Sequence, residues 1–207
     1  MSEDTSAYIQ LSDRDHVLNR PDMYIGNMEC YSNVMNLFEG DELVAREMLY
    51  NEGLERLYLE IVSNADDNAK KSRLMELDPK QIEITVSKKV VSVKNYGAPI
   101  PITKKRIENS RQDGTVDVMD IWIPEFIFSY FRTGSNFNDI YEANAKRFTA
   151  GKNGAGSKCV SVMSIVFKVE VANATQKLKY IQTFKNNLSV KDEPVISDYD
   201  GESYTKI

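Results

Sequence analysis

The chain has 207 residues, 42% of them hydrophobic and 28% charged, with a formal net charge of −5 and a pI near 5.1. That composition suits a soluble globular domain with its own core, and its acidic balance argues against a surface built mainly for nucleic acid. No apolar run approaches the ~20 residues that span a membrane, and the polar start Met1-Ser2-Glu3-Asp4 is not a secretory signal.

Residues 1–11 read as a flexible arm. Ser12 with Asp15 outlines a capping box that opens a short helix through Leu18, ended by Arg20-Pro21. The single histidine, His16, lies in that helix and reads as a packed residue; alone it makes neither a metal cluster nor a serine–histidine triad. Residues 27–52 are mixed and acidic and predict a variable connection. From 53 to 73 apolar residues recur with the helical period, among them Leu54, Leu57, Tyr58, Ile61, Ala65 and Ala69.

Segments 81–87 and 90–94 alternate around Lys88-Lys89, the pattern of a hairpin, and 95–101 is a turn-rich loop. Residues 120–131 fit a helix entered through Ile123-Pro124. Residues 132–155, rich in glycine and asparagine, are long enough for a lid. Segments 161–171 and 177–185 predict paired strands, and 203–207 begins another. Helices and hairpins without steady βαβ alternation predict an α+β two-layer sandwich, its sheet mixed but mostly antiparallel, with helices on one face. Cys30 and Cys159 lie far apart without metal-ligand spacing, which fits free thiols in a reducing compartment.

Two features carry chemistry. On the 53–73 helix, Glu60, Asn64, Asp67, Asn68 and Lys71 fall in one stripe. A carboxylate and two carboxamides are poor helix surface, but they suit a site: one can activate water, an amide oxygen can hold Mg²⁺, and a lysine can meet phosphate. The second feature is Gly151-Lys152-Asn153-Gly154-Ala155-Gly156-Ser157-Lys158, whose glycines present bare N–H groups, with a helix start just behind them adding its positive end. A P-loop is excluded, because Ser157-Lys158 reverses the required Lys-Ser pair and residues 146–150 do not read as a buried strand.

Residues 59–68, Leu-Glu-Ile-Val-Ser-Asn-Ala-Asp-Asp-Asn, resemble the first nucleotide box of the GHKL ATPases. The run from Val93 to Pro101 is similar to their second box, and Gly151 to Lys158 to their third. Asp15-His16-Val17-Leu18-Asn19-Arg20-Pro21-Asp22-Met23-Tyr24-Ile25-Gly26 resembles the N-terminal signature of eukaryotic and viral type II DNA topoisomerases. Ile121 to Phe128, Thr133-Gly134-Ser135-Asn136-Phe137 and Ser203-Tyr204-Thr205-Lys206-Ile207 resemble their adenine-pocket helix, lid and adenine-site strand. The likeness covers nearly the whole chain and is loosest at 27–52 and 104–118.

The resemblance implies an arm and signature helix over 1–26 and a GHKL domain over 27–207, with ATP and Mg²⁺ as ligands. By it, Glu60 is the general base, Asn64 the Mg²⁺ ligand, and Asn68 a contact to the sugar or α-phosphate. Asn95 and Thr205 bind the adenine edge, while Val93, Ile100, Pro101, Ile127 and Phe128 line its slot. Ser135 and Asn136 reach from the lid. Lys152, Asn153, Gly154, Ala155, Gly156 and Lys158 wrap the triphosphate, and Tyr8 reaches the partner subunit's site. It further implies a homodimer closed by ATP, DNA held by domains outside this chain, no membrane, and a place in the nucleus, a viral replication site or a virion. Pro99, Tyr96, Ala150 and Gly134 depart from the family pattern. The family's following transducer domain, which supplies a lysine to the γ-phosphate, is not in the sequence, so weak hydrolysis is expected of this chain alone. Other GHKL ATPases, of chaperone or mismatch-repair type, and a non-hydrolysing nucleotide-dependent dimerisation module are the alternatives.

Overall fold

In the computed structural model, which describes residues 8–110, 116–133 and 154–207, the backbone divides into two units, Met1–Leu59 and Glu60–Ile207. The first opens on α1 (Asp13–Asn19). Ser12 caps it: the hydroxyl accepts from the Asp15 N–H at 3.1 Å and donates to the Asp15 carboxylate at 2.7 Å. His16 packs as expected, its Nδ1 2.8 Å from the hydroxyl of Tyr24 on α2 (Asp22–Ile25).

Residues 27–52 are not the variable connection expected from the sequence. They contain β1 (Tyr31–Glu39) and β2 (Glu42–Tyr50), an antiparallel hairpin closed by Gly40-Asp41, with Gly40 at φ +66°. The alternation is blurred because Val34, Phe38, Leu43 and Leu49 sit on an exposed face while charges intervene on both strands. The two-residue turn was the legible signal. Helix α3 (Glu52–Leu74) then begins, with Asn51 Oδ1 accepting from the Leu54 N–H at 2.7 Å. Leu54 itself is exposed and takes no part in the core.

The second unit holds the rest of α3 and the main sheet. Its strands are β3 (Glu83–Val86), β4 (Val91–Tyr96), β7 (Val166–Asn173), β8 (Leu178–Lys185), β9 (Val190–Lys191), β10 (Val195–Asp198) and β11 (Tyr204–Lys206). They run β10-β8-β7-β11-β4-β3, with β9 beside β8, every pair antiparallel. Between β4 and β7 come a hairpin of β5 (Lys104–Ser110) with β6 (Val116–Trp122), and the helices α4 (Ile123–Ser129) and α5 (Gly156–Met163). The α+β class and the mostly antiparallel sheet match the sequence reading.

Three boundaries differ from that reading, the first being β4, which runs on through Asn95 and Tyr96 of the expected loop because both pair with β11. The segment 120–131 is strand as far as Trp122, because β6 is drawn into pairing with β5; the helix starts only where Pro124 presets it. The segment 161–171 starts as helix through Met163. Val160 and Val162, which favour strands by themselves, are held helical by burial (6% and 0% exposed). The residues of the expected lid from 134 to 153 lie outside the described residues.

Strand alternation gives the sheet an apolar inner face. Phe167, Val169 and Val171 of β7 face inward with Tyr180 and Phe184 of β8, and Tyr180 and Phe184 are almost fully buried. Each such ring stabilises the fold by roughly 1.5–3 kcal/mol. Phe128 of α4 continues the cluster, its ring 6.2 Å from Phe167, which lies 6.2 Å from Phe184. From α3, Ile61, Ala65, Ala69 and Ser72 are buried, a single stripe by their spacing.

Candidate nucleotide site

With Ile61, Ala65 and Ala69 buried, Glu60, Asn64 and Asn68 occupy the neighbouring stripe of α3, half-buried and one turn apart. The column they form is about 12 Å long at the helical rise of ~1.5 Å per residue. Each end is fixed by contacts that can be named.

At the first end, a Cβ on Gly156 would lie 1.9 Å from Glu60 Oε2 and 2.7 Å from its carboxyl carbon. The carboxylate therefore rests directly on the first residue of α5, an approach that only glycine allows. Gly154, at φ +56°, and Ala155 lead the chain into that helix, and no side chain caps it among the described residues. Its first-turn N–H groups and its dipole make this end receptive to anions.

Lys158, in the same turn, is directed elsewhere. It is 3% exposed, and its Nζ donates to the carbonyl of Thr133 at 2.7 Å. Burial pushes its ammonium down to about 8, from an ordinary 10.5. The unfolded chain thus holds this proton more tightly than the folded one, so the Lys158 contribution to stability rises with pH between about 8 and 10.5, and the full cost of burying the charge is present below pH 8. Lys158→Met should flatten that rise, read as the urea midpoint of both proteins from pH 7 to 10. The neighbouring Cys159 thiol is pushed up to about 11 by burial, with the Glu60 charge adding to the effect, which leaves it unreactive at neutral pH.

At the second end, the Asn68 carboxamide is a bridge. Its Nδ2 donates to Ala98 O at 3.0 Å and its Oδ1 accepts from Asn95 Nδ2 at 2.9 Å. With its amide N–H so engaged, Asn95 offers Oδ1 as an acceptor. Thr205 is its cross-strand neighbour on the inner face, both residues being buried. The sequence reading missed Ser72, which is fully buried. Its hydroxyl donates to Asn68 O at 2.7 Å and accepts from the Ala98 N–H at 2.8 Å, tying α3 to the loop after β4. The signal was available: a serine four residues beyond Asn68 on the same face.

The remaining expected residues are scattered more widely. Val93 is buried on the inner face, and Ile100 is half-buried with its carbonyl accepting from Asn173 Nδ2 at 3.2 Å. Ile127 is half-buried, Pro101 is exposed, and Phe128 turns its ring into the Phe167 cluster. Tyr8, in the first unit, is 86% exposed. Ser135, Asn136, Lys152 and Asn153 lie outside the described residues. Among the described residues no group of three or more His, Cys, Asp or Glu could hold a metal ion. A cation here would draw one oxygen from Asn64 and most of its ligands from a bound phosphate chain, a donor set that suits Mg²⁺.

No family model matches the chain. Among known proteins it is 37% identical over 201 residues to DNA topoisomerase 2 of Arabidopsis thaliana, a span covering 97% of this chain and 12% of that protein. It is 33% identical to DNA topoisomerase 2 of Saccharomyces cerevisiae, again over 97% of this chain, and 31% identical to that of Acanthamoeba polyphaga mimivirus over 93%. The chain thus spans only 12–14% of the length of these relatives. The ATPase region of yeast topoisomerase II bound to ICRF-187 superposes with a TM-score of 0.81 at 31% identity, covering 97% of this chain and 50% of that one. The ATPase and transducer domains of the Balamuthia mandrillaris enzyme give 0.80 at 28% identity. By sequence along nearly its whole length, and by fold, the chain belongs with the ATPase region of eukaryotic and viral type II DNA topoisomerases.

Proposed function

We infer that ATP binds along the α3 column, with adenine at Asn95 and Thr205 and the triphosphate at Gly154–Gly156, and that this chain hydrolyses it. The observation that carries the reading is the Glu60 carboxylate seated on Gly156, a proton acceptor at an anion-receptive helix start. Asn95 Oδ1 accepts from the adenine amino group, with Thr205 supporting the same edge. The α5 N–H groups hold the phosphates, and Glu60 takes the proton of the water that attacks the γ-phosphorus. Mg²⁺, when bound, would neutralise charge on the phosphates, with Asn64 supplying one oxygen. In the whole protein, ATP would close two copies into a clamp and its hydrolysis would reset it, coupling passage of one duplex through another. The plant, yeast and viral relatives support a nuclear or viral setting.

Titration with a non-hydrolysable ATP analogue tests the binding mode. Mg²⁺ should tighten wild-type binding by about tenfold, the size of one charge-assisted contact, and Asn64→Ala should remove most of that gain. An undiminished gain in the variant would place the cation elsewhere. A non-hydrolysing dimerisation module shares these binding contacts and differs only in the use of Glu60.

A further inference from the structure

The charges that the strands themselves carry on the outer face of the main sheet can be placed from register, and beside them Lys80, over the Tyr96 ring, is paired with Glu202 and adds no net charge. Residues opposite one another across a ladder point to the same side. The inner row Asn95–Thr205–Val171–Tyr180 therefore fixes its neighbours as outer: Lys94 and Tyr96 on β4, Tyr204 and Lys206 on β11, Lys168 and Glu170 on β7, Lys179 and Lys185 on β8, Glu83 on β3. Five lysines against two glutamates leave this face at +3, in a chain whose total is −5. Asp192, which pairs with Lys185 at 2.6 Å, lowers the patch to +2. No basic run in the sequence announces it, because the lysines come from four separate strands.

The lysines are organised as well as numerous. Lys94 Nζ stands 4.3 Å from the Tyr96 ring centre and 4.7 Å from that of Tyr204, and Lys179 Nζ lies 5.7 Å from Tyr204. Glu170 holds Lys168 at 2.9 Å and Lys179 at 3.4 Å, so its own charge is compensated. Lys206 is exposed, as is half of the Lys168 side chain. The four strands β4, β11, β7 and β8 span about 14 Å at ~4.8 Å per strand.

We propose that this outer face is a contact for the phosphate backbone of double-stranded DNA, separate from the nucleotide column on the opposite side of the same sheet. Duplex DNA carries one charge per about 1.7 Å of axis, so a strip this wide meets several phosphates whatever the sequence. Ammonium groups on a rigid sheet position a duplex without reading its bases. The choice of DNA over an acidic peptide rests on the proposed function, in which the chain works beside two duplexes, and on the breadth of the patch.

The test is fluorescence anisotropy of the 207-residue chain with a 30-base-pair duplex of arbitrary sequence, between 50 and 200 mM salt. Binding is expected with a dissociation constant no weaker than about 10⁻⁴ M at 50 mM, and with log K falling by about 0.9 per log unit of salt for each phosphate neutralised. Lys168→Ala/Lys206→Ala should make that slope shallower by nearly 2 and weaken binding several-fold. ATP-analogue affinity and the melting temperature should stay at wild-type values. No salt-dependent binding at 50 mM, or an unchanged slope in the double variant, would overturn the proposal. So would displacement of the duplex by polyglutamate at equal charge concentration, which would reveal a peptide surface instead. Analogue affinity, measured in parallel, reports on the nucleotide site alone, so its loss with DNA binding retained would strike the proposed function and not this surface.

Discussion

Glu60→Gln is expected to lower ATP turnover by about 10²–10⁴-fold while leaving analogue affinity within about twofold of wild type. Glutamine keeps the length and shape of the side chain, so it can still lie against Gly156, where the contact leaves no room for anything beyond hydrogen on the Cα. What it loses is the capacity to accept a proton from the attacking water. Binding through Asn95, Thr205 and the α5 start does not depend on that capacity, so affinity and rate should separate. Single-turnover phosphate release is the measurement, since it reports the chemical step apart from binding and product release. Unchanged turnover would remove Glu60 from proton transfer, whereas analogue binding with no turnover in the wild-type chain would leave nucleotide-dependent dimerisation as the function.

Gly97→Ala should cost about 3–4 kcal/mol of stability, lowering Tm by roughly 6–16 °C for a chain of this size. Two independent penalties meet there. Gly97 sits at φ +115°, a conformation that side chains rarely adopt. An added Cβ would also lie 2.1 Å from Ser72 Oγ and 2.8 Å from Ser72 Cβ. Ser72 is short, fully buried and committed to Asn68 O and the Ala98 N–H, so it has nowhere to retreat. Because Ala98 O holds the Asn68 carboxamide, nucleotide affinity should fall together with stability. A calorimetric loss below about 1 kcal/mol would mean the loop is not locked by this contact.

The polar column of α3 was legible because helical spacing alone aligns Glu60, Asn64 and Asn68. The antiparallel strands 166–173 and 178–185 were legible from their alternation. Long-range pairing was less so. Nothing local in Thr205 says that it will lie opposite Asn95; that follows from β11 inserting between β4 and β7, and only the likeness to a known family suggested it. The β1–β2 hairpin was missed because its apolar residues remain exposed, which erases the contrast that periodicity depends on. Side-chain direction was harder still. Lys158 looks like a phosphate ligand by spacing, yet its ammonium is buried against Thr133 O. Asn68, expected to meet the sugar or α-phosphate, uses both carboxamide atoms within the fold.

Strands β4 and β11 carry Asn95 and Thr205 on one side, and Lys94, Tyr96, Tyr204 and Lys206 on the other. Their period of two leaves no tolerance for misalignment: sliding β11 by a single position would bring Tyr204 or Lys206 into the nucleotide column and turn Thr205 to solvent. Both surfaces would then fail in one step. Insertions and deletions in this strand should therefore be rejected even where point substitutions are accepted, and the spacing of residues 204–206 should drift more slowly than their identities.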